Sequence, residues 1–326
     1  MTRRVPVTLI LDDSGPLNTM FMHGRGRPVF EGVKLVRDVP VSFLERFVTE
    51  TKRLGMKGKF TLLPNPICAG RIDEGIPGYP EEELTRFLDI VREQIVPDWD
   101  ITPEILTHWM ALDLSTGKWL DMKEDAWAEL QDADSLTAYF VYALEILKNV
   151  DIPANGITSP WCFARGVEEA HAEAVGRSLA EVFGVKQAWY FLHQSSKVEE
   201  DWARIMRRDV EAGTAVVSIV SGVEDVYWEA QYSNDPETAR AGIREKVEGA
   251  LSGDGKRGRI VELIEAGQPV VLLTHWQSIF GNGHGVGLDA LVEVIGRLNE
   301  VYGDRIEWVR PSEIAKRALT ENTTKD

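Results

Sequence analysis

Cysteine is scarce in this chain, and several familiar signatures are missing. Only Cys68 and Cys162 occur among 326 residues, with no C-x-x-C pair, so neither a disulfide framework nor a cysteine-based metal site is predicted. No apolar run reaches the roughly 18 residues that a membrane span needs. No G-x-G-x-x-G follows the first apolar run, which weighs against a dinucleotide-binding sheet.

Long basic runs are also missing. The chain has 36 Lys and Arg against 52 Asp and Glu, a formal net charge of -16. Because an acidic surface repels phosphate backbones, nucleic acid is excluded as an expected partner. The N-terminal apolar run contains Pro6 and ends in two aspartates. This run is too short to be the apolar region of a secretory signal. These features predict a cytoplasmic protein that contacts no membrane, and they leave room for a homo-oligomer.

Apolar strand-like runs alternate with amphipathic helical segments along the whole chain. Runs such as VVLLT are apolar on both faces, which is typical of parallel strands covered by helices. Such alternation is compatible with an open doubly wound sheet or with a closed (β/α) barrel. With no dinucleotide motif and no visible linker, the sequence favours one domain over residues 1–326: a (β/α) barrel of seven or eight parallel strands with loop insertions.

Polar residues follow several of the predicted strands directly. The first run ends in Asp12-Asp13, and two others end in the same tripeptide, at Thr107-His108-Trp109 and Thr274-His275-Trp276. Since strand ends meet at one face of a barrel, these residues are expected to line a common pocket. Carboxylates and imidazoles there suit a divalent metal such as Zn²⁺, with a remaining Asp as general base and a remaining His as general acid.

Each of these residues also has a simpler interpretation. An Asp pair after a strand often caps a turn, a single histidine is often buried or lies in a loop, and tryptophan after histidine often only packs. The occurrence of the Asp pair and two histidines at three separate strand ends favours the functional interpretation.

Three stretches resemble one family. LILDDSGP resembles the "TFDDGP" opening of the polysaccharide deacetylase (NodB-homology) superfamily, KGKFTLLPN lies where that family has its second strand, and VVLLTHWQ with the closing RIEWVRPSEIAKRAL resembles its C-terminal end. The resemblance implies a distorted (β/α) barrel and metal-dependent amide hydrolysis, in which a metal-bound water attacks the acetamido carbonyl of a sugar-like substrate.

The resemblance also assigns roles to individual residues. It implies that Asp12 is the general base and His275 the general acid. Asp13 and His108 would bind the metal, most simply Zn²⁺, with Ni²⁺, Co²⁺ or Mn²⁺ as alternatives.

The chain departs from the family where the second metal-binding histidine is expected. That residue lies four positions after the first, and Leu112 stands there. A third ligand must come from elsewhere, with His23 as the first candidate and Asp113 as the second.

The substrate is expected to be a small carbohydrate or amide. The residues predicted to bind it are Trp109, Asp113, Ser159, Trp161 and Trp276. The family's arginine segment falls at TSPWCFA, which lacks arginine, so the sequence predicts that the charged partner of the base is missing.

Two alternatives remain from the sequence. A glycoside hydrolase of the same barrel type would use paired carboxylates, Asp12 or Asp13 with Asp113, Asp225 or Glu229. A catalytically inactive carbohydrate-binding relative would keep only the tryptophan-rich surface.

Overall fold

The computed structural model describes residues 4–323 and contains eleven described strands. They are β1 (Val5–Asp12), β2 (Gly58–Leu62), β3 (Asp100–Pro103), β4 (Met110–Asp113), β5 (Lys118–Lys123), β6 (Gly156–Thr158), β7 (Gln187–Gln194), β8 (Ala203–Asp209), β9 (Thr214–Ser221), β10 (Val270–His275) and β11 (Ile306–Trp308).

Helices separate most of these strands. They are α1 (Met20–His23), α2 (Val41–Arg53), α3 (Glu81–Ile90), α4 (Glu124–Ala128), α5 (Ala133–Asn149), α6 (Glu168–Phe183), α7 (Pro236–Ala250), α8 (Arg259–Glu265), α9 (Trp276–Phe280), α10 (Val286–Tyr302) and α11 (Pro311–Thr323). None of the helices described here is long and apolar enough to cross a membrane.

The chain divides into two compact units. The first comprises Met1–Lys59, Gln194–Trp202 and Ser221–Arg310, and the second comprises Phe60–His193, Ala203–Val220 and Pro311–Asp326. That residues 1–326 act as a single catalytic domain stays a prediction.

The first unit is built around β1. Its sequence VPVTLILD is buried along nearly its whole length, because apolar residues occupy both faces. Strand β1 runs parallel to β10 over Val7–Asp12 and parallel to β11 at its start. Helix α10 packs against α2, α7 and α9. The parallel pairing brings the carboxyl ends of β1 and β10 to the same edge.

The second unit contains a sheet with the strand order β6-β7-β9-β8. Strands β6 and β7 are parallel, whereas β8 and β9 are antiparallel. Beyond β3, Glu104 forms a parallel bridge with Thr158 at the end of β6. Helices α5 and α6 pack against each other.

A mixed α/β fold with parallel strands is therefore confirmed, but the described strands show no closed barrel of seven or eight parallel strands. They lie in three sheets, and two of the pairings are antiparallel. The unpredicted strands are β8 and the hairpin β4–β5. Strand β8, ARIMRRD, is rich in charge and only half-buried, so it lacks the apolar pattern of a core strand. The turn of the hairpin contains Gly117, whose φ of 66° lies in the left-handed region that glycine adopts without steric cost.

Candidate active site

The carboxyl ends of β1 and β10 bring together two residues that the sequence predicted as catalytic. Asp12 and His275 are direct register partners in this parallel pair. Asp12 is 5% exposed, and the His275 side chain is 23% exposed. A carboxylate and an imidazole at neighbouring strand ends are residue types that can transfer protons as base and acid.

Asp12 has a charged partner that sequence reasoning missed. The Lys59 ammonium on β2 forms an ion pair with Asp12 Oδ1, and the Lys59 side chain is fully buried. The prediction that the base lacks a charged partner is therefore wrong: a lysine supplies the charge. The signal was the lysine in KGKFTLL, inside an otherwise apolar strand. A buried ammonium needs an opposite charge beside it, and Asp12 supplies that charge.

Asp13 is 1% exposed and adopts a left-handed backbone conformation, with φ of 63°. This conformation is uncommon for a residue with a side chain and is often found at functional sites. The Gln277 side-chain amide at the start of α9 donates to Asp13 Oδ2. The carboxylate is thus held in one orientation, as a metal ligand would require.

His275 is oriented by Asp225, which the sequence suggested only as a glycosidase carboxylate. His275 Nδ1 lies 2.8 Å from Asp225 Oδ2. The same carboxylate accepts hydrogen bonds from the Ser278 hydroxyl at 2.7 Å and the Tyr227 amide at 2.9 Å. The Trp228 ring packs edge-on against the imidazole, with centroids 4.9 Å apart. Because Nδ1–H donates its hydrogen bond to Asp225, Nε2 is left for chemistry.

The surroundings of His275 favour its protonated form. Burial of the imidazole lowers its pKa, but the hydrogen bond to Asp225 and the charges of Asp13, Asp225 and Asp12 outweigh burial and raise the pKa to about 9. A histidine of this kind carries a proton at neutral pH and can donate it.

In the second unit, His108 lies beside Glu104, four residues earlier in the chain. His108 Nε2 is 3.9 Å from Glu104 Oε1, and the two side chains are 8% and 2% exposed. His108 also has a left-handed backbone, with φ of 55°. The sequence analysis identified His108 but not Glu104. In the family that the sequence resembles, the second ligand lies four residues after the first histidine, whereas Glu104 lies four residues before His108.

The segment before His108 is held by a buried carboxylate, Glu124 at the start of α4. Glu124 Oε1 accepts from the Leu106 amide at 2.7 Å, the Thr107 amide at 3.1 Å and the Tyr139 hydroxyl at 2.9 Å. Burial raises the pKa of Glu124, while these donors and the nearby His108 lower it. Glu124 therefore fixes the backbone that carries His108.

Two of the predicted substrate-binding tryptophans lie beside His108. The Trp161 ring is 39% exposed, and its centroid is 4.7 Å from that of His108. Lys123 Nζ lies over both rings, 5.3 Å from the Trp109 centroid and 5.0 Å from the Trp161 centroid. Ser159 is 7% exposed, and its hydroxyl has no hydrogen-bond partner among the described residues.

Other predicted residues have structural roles or lie apart from these groups. Trp276 is fully buried, donates its indole N–H to the Gly15 carbonyl and packs on Phe43, so it belongs to the core and not to a substrate-binding surface. Asp113 accepts hydrogen bonds from Ser115 and Thr116 in the turn of the hairpin β4–β5. His23 is half-buried at the end of α1.

The carboxylates proposed for glycoside cleavage are engaged elsewhere. Asp225 binds His275, Asp113 stabilises its turn, and Glu229 forms an ion pair with Lys246 at 3.1 Å.

Comparison with known proteins found no matching protein family and no similar curated protein. Similar solved structures include a CE4 family pseudoenzyme from Bacillus anthracis, at 11% identity over 97% of this chain and 66% of that chain, with a TM-score of 0.42. A peptidoglycan N-acetylglucosamine deacetylase, Bc1960, matches at 12% identity over 95% and 87%, with a TM-score of 0.42. An exo-β-1,4-mannosidase from Opitutaceae bacterium strain TAV5 matches at 15% identity over 91% and 61%, with a TM-score of 0.41.

A deacetylase and a CE4 family pseudoenzyme are thus among the solved structures to which this chain is similar. The function of this chain is argued from its own residues.

Proposed function

We propose that this protein is a metal-dependent hydrolase of C–N bonds that removes an acyl group from an amide. The observation that carries the proposal is the pairing of Asp12 with His275 at adjacent strand ends, where each has its own charged partner. A base held as a carboxylate and an acid held as an imidazolium are the two groups that amide hydrolysis needs.

Each residue then has a defined task. Asp12, held in place by its ion pair with Lys59, accepts a proton from the attacking water. His275, protonated at neutral pH and oriented by Asp225, donates a proton to the leaving nitrogen. Trp228 packs against the imidazole and limits its rotation. After one turnover Asp12 carries a proton and His275 has lost one, and exchange with solvent restores both.

The metal in this proposal is divalent, most simply Zn²⁺. Asp13 and His108 are ligands, and Glu104 is proposed in place of the missing second histidine. The donor types fit, because a carboxylate oxygen and an imidazole nitrogen are standard zinc ligands, and Glu104 and His108 already lie within 3.9 Å of each other. A bound divalent cation would polarise the amide carbonyl and lower the pKa of water. His23 as the third ligand stays a prediction.

The substrate is proposed to be a small N-acylated sugar or a related amide. Trp161, which is 39% exposed and lies beside His108, is of a residue type that suits the apolar face of a sugar ring. A distorted (β/α) barrel, a cytoplasmic location, and the lack of nucleic-acid and membrane partners remain parts of the proposal.

The first experiment measures metal content in protein purified without a chelating column or chelator. Near one equivalent of Zn, Ni, Co or Mn is expected in the parent and is expected to be lost in Asp13→Ala and His108→Ala. Glu104→Gln and His23→Ala separate the two candidates for the third ligand: loss of metal in only one of them identifies it. Absence of metal after reconstitution would contradict the metal-dependent proposal.

The second experiment measures release of acetate from N-acetylated sugars. Asp12→Asn and His275→Gln are each expected to lower kcat/KM by about 100-fold or more, because each removes one proton-transfer group. Glu229→Gln is the matched control, since its carboxylate pairs with Lys246. A rate of hydrolysis that is the same in the parent, in Asp12→Asn and in His275→Gln would contradict the roles assigned to these two residues. Sugar binding without hydrolysis would indicate the inactive relative.

A further inference from the structure

Lys123 occupies an unusual position for a lysine in an acidic chain. Its ammonium lies over the faces of Trp109 and Trp161, within the distance at which a cation interacts with an aromatic ring. The side chain is exposed. Within residues 4–323, no carboxylate lies within ion-pair distance of this ammonium, although the chain has 52 acidic residues.

The two tryptophans hold this positive charge next to the proposed metal-binding residues. Trp161 contacts both Lys123 and the imidazole of His108, and so lies at once against the cation and against a proposed ligand. Lys123 ends β5 and immediately precedes Glu124, whose buried carboxylate anchors the backbone before His108. The position of the cation is therefore coupled to the same buried network that positions His108.

We propose that Lys123, Trp109 and Trp161 form a subsite that binds an anionic substituent of the substrate. The rings would contact the apolar face of a sugar, and the ammonium would pair with a carboxylate or phosphate on it. This inference rests on the proposed function for the location of the reacting amide. It adds that the preferred substrate carries a negative charge.

The test measures binding by calorimetry with three matched probes: N-acetylglucosamine, which is neutral, N-acetylmuramic acid, which carries a carboxylate, and N-acetylglucosamine 1-phosphate. The parent is expected to bind at least one anionic probe about tenfold more tightly than the neutral one at low salt, and the preference is expected to shrink as salt is added. The preferred probe identifies the anion. Equal affinity for all three, or no binding of any, would overturn the proposal.

Variants assign the preference to Lys123. Lys123→Met keeps an unbranched apolar stem against the rings but removes the charge, so it is expected to lower the affinity for the preferred anionic probe about tenfold and so abolish the preference. Lys123→Arg keeps the positive charge and is expected to keep most of the preference for the anionic probe. Lys118→Met is the control, because Lys118 begins the same strand and is exposed. A preference that survives in Lys123→Met, or is lost equally in Lys118→Met, would refute the assignment.

Repeating the titrations after chelation separates this inference from the proposed function. A preference that persists in chelated protein and disappears in Lys123→Met supports the subsite even if no metal is ever found. A preference that disappears on chelation and persists in Lys123→Met places the anion on the metal and overturns the subsite.

Discussion

Lys59 and Asp12 are both buried, so neither charge tolerates the loss of the other. Lys59→Met would leave the Asp12 carboxylate buried without its cation, and we expect the free energy of unfolding to fall by about 3–5 kcal/mol. The double variant Lys59→Met/Asp12→Asn should recover much of that loss, because neither position then leaves a buried charge without its partner. Urea unfolding checks both expectations.

The matched control is an ion pair at the surface. Arg53 and Glu50 pair on α2 with the Arg53 side chain 56% exposed, and Arg53→Met should cost less than about 1 kcal/mol. A cost for Lys59→Met as small as that of the control would mean that the buried pair contributes little.

Asp225 is expected to set the protonation of His275. The folded protein raises the pKa of His275 from 6.5 to about 9, mainly through the hydrogen bond to Asp225 acting against burial. A group whose pKa is raised by folding stabilises the protein fully below its unfolded pKa, here about 6.5, and this stabilisation is lost as the pH rises through 9. Asp225→Asn should lower the pKa towards 6.5 and remove on the order of 2–3 kcal/mol near pH 6.

The measurement is an NMR titration of the His275 ring, assigned with His275→Gln, alongside unfolding at pH 6 and pH 10. The difference in stability between the parent and Asp225→Asn should be larger at pH 6. An unchanged pKa in Asp225→Asn would contradict the role given to this carboxylate.

The backbone of the segment between β3 and β4 is held by a side chain of α4, a helix that comes later in the sequence. Glu124 on α4 accepts from the amides of Leu106 and Thr107 and from Tyr139, all in a fully buried setting. Glu124→Ala would leave these donors without an acceptor, and we expect a loss of about 3 kcal/mol or more in the free energy of unfolding. Tyr139→Phe removes one donor to Glu124 and also the acceptor of the Leu112 amide, and it should cost about 2 kcal/mol.

Amide hydrogen exchange locates the effect. Exchange at Leu106 and Thr107 should accelerate in Glu124→Ala ahead of the rest of the second unit, and metal affinity should fall with it. Glu129→Ala is the control, since Glu129 accepts from the Gly166 amide at an exposed position. Equal protection of both amides in Glu124→Ala and the parent would exclude the anchoring role.

Among the elements, those with strong periodicity could be predicted from the sequence. The apolar runs of β1 and β10 and the amphipathic helices α2 and α10 lie where the pattern placed them. Strand β8 could not be predicted, because its charged residues are tolerated at a half-buried position next to β9. The order of the strands in the sheets could not be predicted either, because pairing between strands depends on contacts between residues that are distant in sequence.

The candidate site divides in the same way. Asp12, Asp13 and His275 stand at strand ends and could be identified from sequence. Lys59 was missed although it lies inside an apolar strand, because a lysine is usually expected to point to solvent. Trp276 was predicted to bind substrate, but it is fully buried. Tryptophan suits a binding surface and a core equally well, so the sequence alone could not decide between them.

Across the whole molecule, charge is the property that the sequence conveys most directly. A net charge of -16 makes the surface unfavourable for acidic ligands in general. An anion would therefore need a local cation to bind at all, which makes the charge of Lys123 a stronger determinant of ligand choice here than it would be on a neutral protein.

The pairing of β1 with β10 and β11 has a consequence for biosynthesis. Asp13 and Gln277, which meet at this pair, are 264 positions apart in the sequence. While the ribosome is still translating, β1 has emerged but neither β10 nor β11 exists, so the apolar strand VPVTLILD waits with an unfilled edge. Asp12 and His275 would meet only once His275 had left the exit tunnel, so β1 would pair with β10 late in synthesis.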